Sequence, residues 1–76
     1  MNFPIRPGVL FGRRQLEARA LSVWRCAADL VWARWELLRQ ATPESRATAF
    51  AAYVAALDAE AAAAAALADI YPSQAA

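Results

Sequence analysis

Apolar residues recur along the first half of the chain with the period of an α-helix. One set returns every seven residues and a second set follows each member by four residues: Leu16, Val23, Leu30 and Leu37, then Ala20, Ala27, Arg34 and Ala41. This 4-3 alternation is typical of the core-facing stripe of an α-helix. It predicts one long helix over residues 13–41 with this stripe turned toward the core.

A second apolar row runs beside the stripe. It consists of Trp24, Ala28, Val31, Trp35 and Leu38, with Trp32 beyond its edge. At ~100° per residue the two rows span roughly half of the helix circumference, whereas a helix with one neighbour needs a stripe little wider than ~100°. The excess predicts that more than one surface covers this helix.

The residues after Ala41 predict where the first helix ends and a second begins. Thr42 suits an N-cap and Pro43 suits the first helical position, while proline disfavours helical geometry in the residue before it. A second helix is therefore expected over residues 43–70, with residues 72–76 as a tail. So short a junction favours an antiparallel αα-hairpin; a nearly straight continuation with a kink is the alternative.

The second helix is rich in alanine and has one narrow face of larger side chains. These are Phe50, Tyr53, Val54, Leu57, Leu67 and Tyr71. Folding at Thr42 is expected to set Val31 near Tyr53 and Arg34 near Phe50, so that large residues meet small ones across the helix pair.

Charge favours the same antiparallel topology. Residues 1–34 carry six Arg against two acidic residues, and residues 35–76 carry two Arg against five. Arg13 and Asp69 each lie at the unfavourable end of their own helix dipole. Antiparallel pairing would place them side by side, where each compensates the other.

Residues 1–12 are expected to form an extended arm, because two prolines and two glycines interrupt this stretch. Its apolar side chains are Phe3, Ile5, Val9, Leu10 and Phe11. Two placements are left open. The arm folds back on its own hairpin, or it lies in a groove of a partner chain, as extended peptides do.

The predicted protein-interface residues are the apolar side chains of this arm and a group on the first helix. The helical group is Trp24, Val31, Trp32, Arg34, Trp35 and Leu38. Tryptophan is enriched at interface hot spots, and a two-helix unit has no third layer to cover three of them. Because Trp35 lies nearer the seam than Trp32, Trp35→Ala is expected to weaken association more than Trp32→Ala.

Two side chains in the apolar surface have two interpretations each. Arg34 either lays its stem along the stripe with its guanidinium in water, stacked on Phe50 or Tyr53, or it meets a partner carboxylate and fixes register. Cys26, the one cysteine, is either a small half-buried hydrophobe or half of an intermolecular disulfide.

The composition disfavours catalysis. The chain has no histidine and one cysteine, so neither a zinc site nor a Cys-His nucleophile can be built. No glycine-rich phosphate loop is present. We therefore expect no catalytic residue, no cofactor, no metal and no small-molecule substrate.

Charged residues interrupt every long apolar run, so no membrane span is expected. The arginines at positions 13 and 14 precede charged residues instead of an apolar signal region. The expected location is the cytoplasm or a particle assembled there. Nucleic-acid binding is the third hypothesis, because basic residues gather near one end although the net charge is only +1.

These observations predict an all-α antiparallel helical hairpin that completes its core by homo-oligomerising, as in a four-helix bundle, or by docking on larger subunits. The predicted function is that of a small structural or accessory subunit in a larger assembly, such as an enzyme complex or a phage-like particle. The alternative is a free homodimeric regulator of the type encoded by phages and mobile elements, which binds and inhibits a host protein.

Overall fold

The structure, a computed structural model, describes residues 7–70, with side chains from residue 12 onward. This part of the chain folds into two α-helices, α1 (Pro7–Arg39) and α2 (Arg46–Ile70), which pack against each other. The prediction of an all-α fold with two packed helices is therefore confirmed over these residues. A straight continuation of one helix into the other is excluded by that packing.

Helix α1 begins at Pro7, six residues before the predicted start at Arg13. Proline is well accommodated at the first helical position, because its missing N–H would have no partner there. Over residues 7–12 the expectation of an extended arm was therefore wrong. Val9, Leu10 and Phe11 belong to the backbone of α1, while their side chains, and Phe3 and Ile5 entirely, lie outside the described residues.

The connection between the helices is held by a reciprocal pair of hydrogen bonds. The N–H of Ser45 donates to Thr42 Oγ1 at 3.3 Å, and the N–H of Thr42 donates to Ser45 Oγ at 3.1 Å. This is a capping box with serine in place of the usual Glu or Gln. Thr42 therefore caps the turn over residues 43–45, as its side chain predicts, but the second helix itself starts at Arg46 instead of at Pro43.

The seam between the helices has alanine at its centre. Of the described residues, only Ala56 and Ala63 are buried, at 3% and 8% exposure. The half-buried residues of α1 that share this seam are Ala20, Trp24, Ala27, Val31 and Leu38. Large side chains of α1 thus lie against small side chains of α2, as expected. Ala20 and Ala27 were predicted to face the core, whereas Trp24 and Leu38 belong to the second apolar row.

The predicted core stripe of α1 is divided in the structure: Ala20 and Ala27 are half-buried at the seam, whereas the row of leucine and valine is exposed. Leu30 is 41% exposed and Leu16 is 57% exposed, and Val23 and Leu37 fall between them. The second apolar row, which begins at Trp24, packs against α2 instead. Because α2 offers mostly Cβ atoms there, the bulkier row of α1 fills the space better.

Helix α2 also turns a different face toward its neighbour than predicted, so that most of its larger side chains lie outside the seam. Phe50, Val54 and Leu57 are exposed, while Tyr53 and Leu67 are half-buried. Val31 lies beside Tyr53, as predicted. At the open end of the hairpin, Arg13 Nη2 donates to the carbonyl oxygen of Ile70 at 3.5 Å, which compensates the negative end of the α2 dipole.

Thr42→Ala should lower the free energy of unfolding by about 1 kcal/mol, because it removes one side of the capping box. Urea denaturation followed by circular dichroism would measure the change. Thr42→Ser keeps the hydroxyl and is the matched control, expected within about 0.5 kcal/mol of the original chain. Equal stability of the two variants would show that this cap does not hold the connection.

Ala56→Leu should destabilise the hairpin by about 1–3 kcal/mol, because the added atoms have no space in the seam. Ala65→Leu is the control, since Ala65 is exposed on the same helix. A thermal melt of both variants gives the comparison. If Ala56→Leu were the more stable variant, the helices would not approach as closely as described.

Candidate interaction surfaces

The two packed helices form a single layer with two broad sides. One open groove is lined by Val31, Trp32, Trp35 and Tyr53. Two other grooves share none of these residues. One includes Arg34, Leu37, Thr48 and Ala52, and the other is lined by Arg13, Leu16, Asp69 and Ile70. The flank of α1 that bears Trp32 therefore lies on one side of the layer, and the flank that bears Leu16 and Leu37 lies on the other.

We call the first side the aromatic face. Phe50 and Leu57 are three residues before and four residues after Tyr53, so they lie on the same flank of α2. The aromatic face consists of Trp32, Trp35, Phe50, Tyr53 and Leu57.

We call the second side the ridge face. Its α1 part, the leucine ridge, is the seven-residue row of Leu16, Val23, Leu30 and Leu37. Its α2 part, the alanine lane, is the seven-residue row of Thr48, Ala55 and Ala62. All seven of these side chains are exposed.

One aromatic contact organises the aromatic face. The rings of Trp35 and Tyr53 lie with their centroids 5.5 Å apart at an interplanar angle of 49°, which is a favourable tilted arrangement. Trp35 is consequently 39% exposed, whereas Trp32 is 68% exposed. Trp35 is anchored within the hairpin, and Trp32 projects from it.

Arginines border the aromatic face. Arg25, Arg39 and Arg46 are exposed and share the flanks of Trp32 and Phe50 by helical phase. Arg39 also pairs with Glu36 at 3.2 Å; an exposed pair of this kind contributes at most about 1 kcal/mol. An apolar centre with a charged rim is the general anatomy of a protein–protein interface.

The predicted interface residues of α1 separate into three environments: the aromatic face, the seam and, for Arg34 alone, the ridge face. Trp32 and Trp35 lie on the aromatic face, while Trp24, Val31 and Leu38 are half-buried along the seam. Sequence reasoning did not include Phe50, Tyr53 and Leu57 in the site, although it placed them together on one face of the second helix.

Arg34 lies on the ridge face, half-buried in a groove with Thr48 and Ala52. The expected stacking on Phe50 or Tyr53 is therefore not formed, because both aromatic residues belong to the other side of the layer. Within the described residues, Arg34 has no carboxylate within 4.0 Å.

The remaining reactive side chains are few. Cys26 is a free, exposed thiol, so the expectation of a half-buried hydrophobe was wrong. The Cys26 side chain lies outside the part of α1 that α2 covers. Across residues 7–70, no three His, Cys, Asp or Glu side chains are grouped as metal ligands.

Helix α2 is long and apolar enough, by length and composition alone, to cross a membrane. The sequence pattern had predicted no such segment, because Asp58 and Glu60 interrupt it. Helix α1 packs along α2 and carries Arg19, Arg25 and Asp29 there. A charged side chain at the centre of a bilayer costs ~2.5–3.5 kcal/mol or more, so the hairpin suits a bilayer less well than α2 alone.

Comparison with known proteins gives no family assignment, because no family model, curated protein or solved structure matches the chain.

Trp35→Ala should lower the free energy of unfolding by at least about 1 kcal/mol more than Trp32→Ala, because it removes the ring contact with Tyr53. Chemical denaturation of both variants at one protein concentration would measure the difference. Equal losses would show that the Trp35–Tyr53 contact adds nothing to the fold.

Proposed function

We propose that this chain is a non-catalytic accessory subunit whose aromatic face binds another protein within a larger assembly. The exposure of Trp32 beside the anchored Trp35–Tyr53 pair is the observation that carries the proposal. Covering an apolar side chain of this size contributes about 1.5–3 kcal/mol. A partner that covers the aromatic face gains that contribution from several side chains at once.

Trp35 is held by its contact with Tyr53, whereas Trp32 is exposed and available to a partner. A rigid aromatic anchor loses little conformational entropy when a partner binds, and tryptophan and tyrosine are the residues most enriched at hot spots. The exposures therefore favour the reverse of the order expected from the sequence. Trp32→Ala should affect partner binding most, and Trp35→Ala should affect the fold most.

The type of assembly follows from the small core. A hairpin whose described residues include only two buried alanines has little independent stability, which suits a subunit that folds or persists in contact with larger neighbours. An enzyme complex or a phage-like particle assembled in the cytoplasm provides such neighbours. The chain would contribute contacts, with no cofactor and no substrate of its own.

A free regulator that binds and inhibits a host protein is the second candidate. It is favoured by the ridge face, whose row of large residues beside a row of small ones suits a second copy of the chain. A regulator would use its aromatic face to bind a host protein, whereas a subunit would use it to bind a neighbour in its own assembly. Nucleic-acid binding is less well supported, because the acids of α2 lie alongside the arginines of α1 and the net charge is +1.

Photo-crosslinking in the native cell tests the proposed function. Benzoylphenylalanine in place of Phe50 should give one discrete adduct with a different protein, because Phe50 is exposed on the aromatic face. The same probe at Ala65 is the control, since Ala65 is exposed but lies on the edge of α2 away from α1. Mass spectrometry of the adduct identifies the partner.

The identified partner, once purified, allows a quantitative test. Trp32→Ala should raise the Kd about 30-fold, which corresponds to a hot-spot loss of about 2 kcal/mol, with unchanged helicity. Adducts from the Phe50 position that match those from Ala65, or that contain only a second copy of the chain, would contradict the proposed function.

A further inference from the structure

We propose that the ridge face binds a second copy of this chain, with the leucine ridge of each protomer lying on the alanine lane of the other. The surface differs from the aromatic face and has a different occupant, so the inference goes beyond the proposed function. It defines a two-fold four-helix arrangement that leaves both aromatic faces exposed.

The ridge and the lane have the same repeat. Leucine or valine recurs every seven residues along α1, and Thr48, Ala55 and Ala62 recur every seven residues along α2. The residues between them in the lane, Ala52, Ala59 and Ala66, are also alanine. One side of the hairpin is therefore a row of large side chains beside a nearly smooth surface.

The register of the hairpin places the two rows at matching levels. Val31 shares a groove with Tyr53, and Arg13 reaches the carbonyl of Ile70. Counting along antiparallel helices from these contacts, three of the four ridge residues have a lane residue beside them to within about a residue, or ~1.5 Å, and Leu16 lies at the level of Asp69. The matched levels are Leu37 with Thr48, Leu30 with Ala55, and Val23 with Ala62.

A two-fold axis parallel to the helices keeps these levels aligned, because a closed dimer has no translation along its axis. Leu30 of one protomer then lies on Ala55 of the other, and Val23 lies on Ala62. Large residues meet small residues on both halves of the interface, which gives an even spacing between the two layers. An axis perpendicular to the helices would instead set leucine on leucine and alanine on alanine. The two layers would then be farther apart at the leucine side than at the alanine side.

Charge distinguishes the same two arrangements. In the parallel-axis dimer, Arg19 of one protomer lies near the C-terminal end of the other protomer's α2, which bears Asp69. In the perpendicular-axis dimer the ridges run antiparallel, and Arg19 of each protomer meets Arg34 of the other. Like charges in an interface are strongly disfavoured, so the arrangement of ridge on lane is favoured.

Arg34 is the unfavourable feature of this arrangement. The two copies of Arg34 lie at one level near the two-fold axis, toward the connected end of each hairpin. The groove that contains Arg34 continues to Gln40, Thr42 and Ser45 at that end, so the guanidinium can leave the interface along it. Arg34→Leu should therefore lower the dimer Kd at least tenfold.

Disulfide trapping tests the arrangement directly. Two variants are made on a Cys26→Ser background, one with Leu30→Cys and one with Ala55→Cys. Mixing them under mild oxidation by glutathione disulfide should give a crosslinked dimer on a non-reducing gel, because these positions face each other across the interface. Neither variant alone should crosslink, since each position faces the other type of residue in the partner.

Each other result has a definite meaning. Crosslinking of Leu30→Cys alone would show ridge on ridge and overturn the arrangement. No crosslink in the mixture, with a folded chain by circular dichroism, would overturn the ridge face as a dimer interface.

Light scattering on a sizing column gives an independent measurement. The original chain should have twice the chain mass, and both Leu30→Glu and Ala55→Glu should raise the dimer Kd at least 100-fold while remaining helical.

Ala65→Glu is the matched control and should stay dimeric, because Ala65 lies on the edge of α2. A monomeric original chain, or equal dimerisation of Ala55→Glu and Ala65→Glu, would overturn the proposal. Loss of dimerisation leaves the aromatic face intact, so the Phe50 adduct separates this result from the proposed function.

Discussion

Two helices that pack only on each other can each bury one strip, and every other feature of this hairpin depends on that limit. Helix α2 contributes a strip of alanine, with Ala56 and Ala63 at its centre. Alanine permits a close approach and adds little apolar area of its own. The strip of α1 that packs there is consequently the bulky one, which includes Trp24 and Val31. The leucine and valine row of α1 is not covered by any of the described residues and stays exposed.

The sequence was sufficient to predict the helices, their antiparallel pairing and the cap at Thr42, because each rests on local chemistry or on a strong period. It was not sufficient to choose which apolar row faces α2. Leu30 and Val31 are consecutive residues in two rows with the same helical period, and only the shape of the opposing surface distinguishes them. The start of α1 was missed because Pro7 was interpreted as a residue that breaks a helix, although proline also suits its first position.

The same distinction explains how much of the candidate site was predictable. Trp32 and Trp35 were identified because three tryptophans exceed what one seam can cover. Their partners on α2, Phe50 and Tyr53, were assigned to the seam, since the rotation of α2 about its own axis was unknown. The leucine ridge was missed for the same reason: a residue predicted to be core is not considered as an interface. An error in helical rotation therefore exchanges core and interface without changing the fold.

The small seam also couples folding to association. A partner that binds only the folded hairpin stabilises it in proportion to the logarithm of the partner's concentration. In a large domain this contribution is small beside the domain's own stability, but here the ridge and aromatic faces hold more large apolar side chains than the seam does. Helix content and association should therefore change together on dilution. The exposed leucines and tryptophans would therefore be buried only when another surface binds to the hairpin.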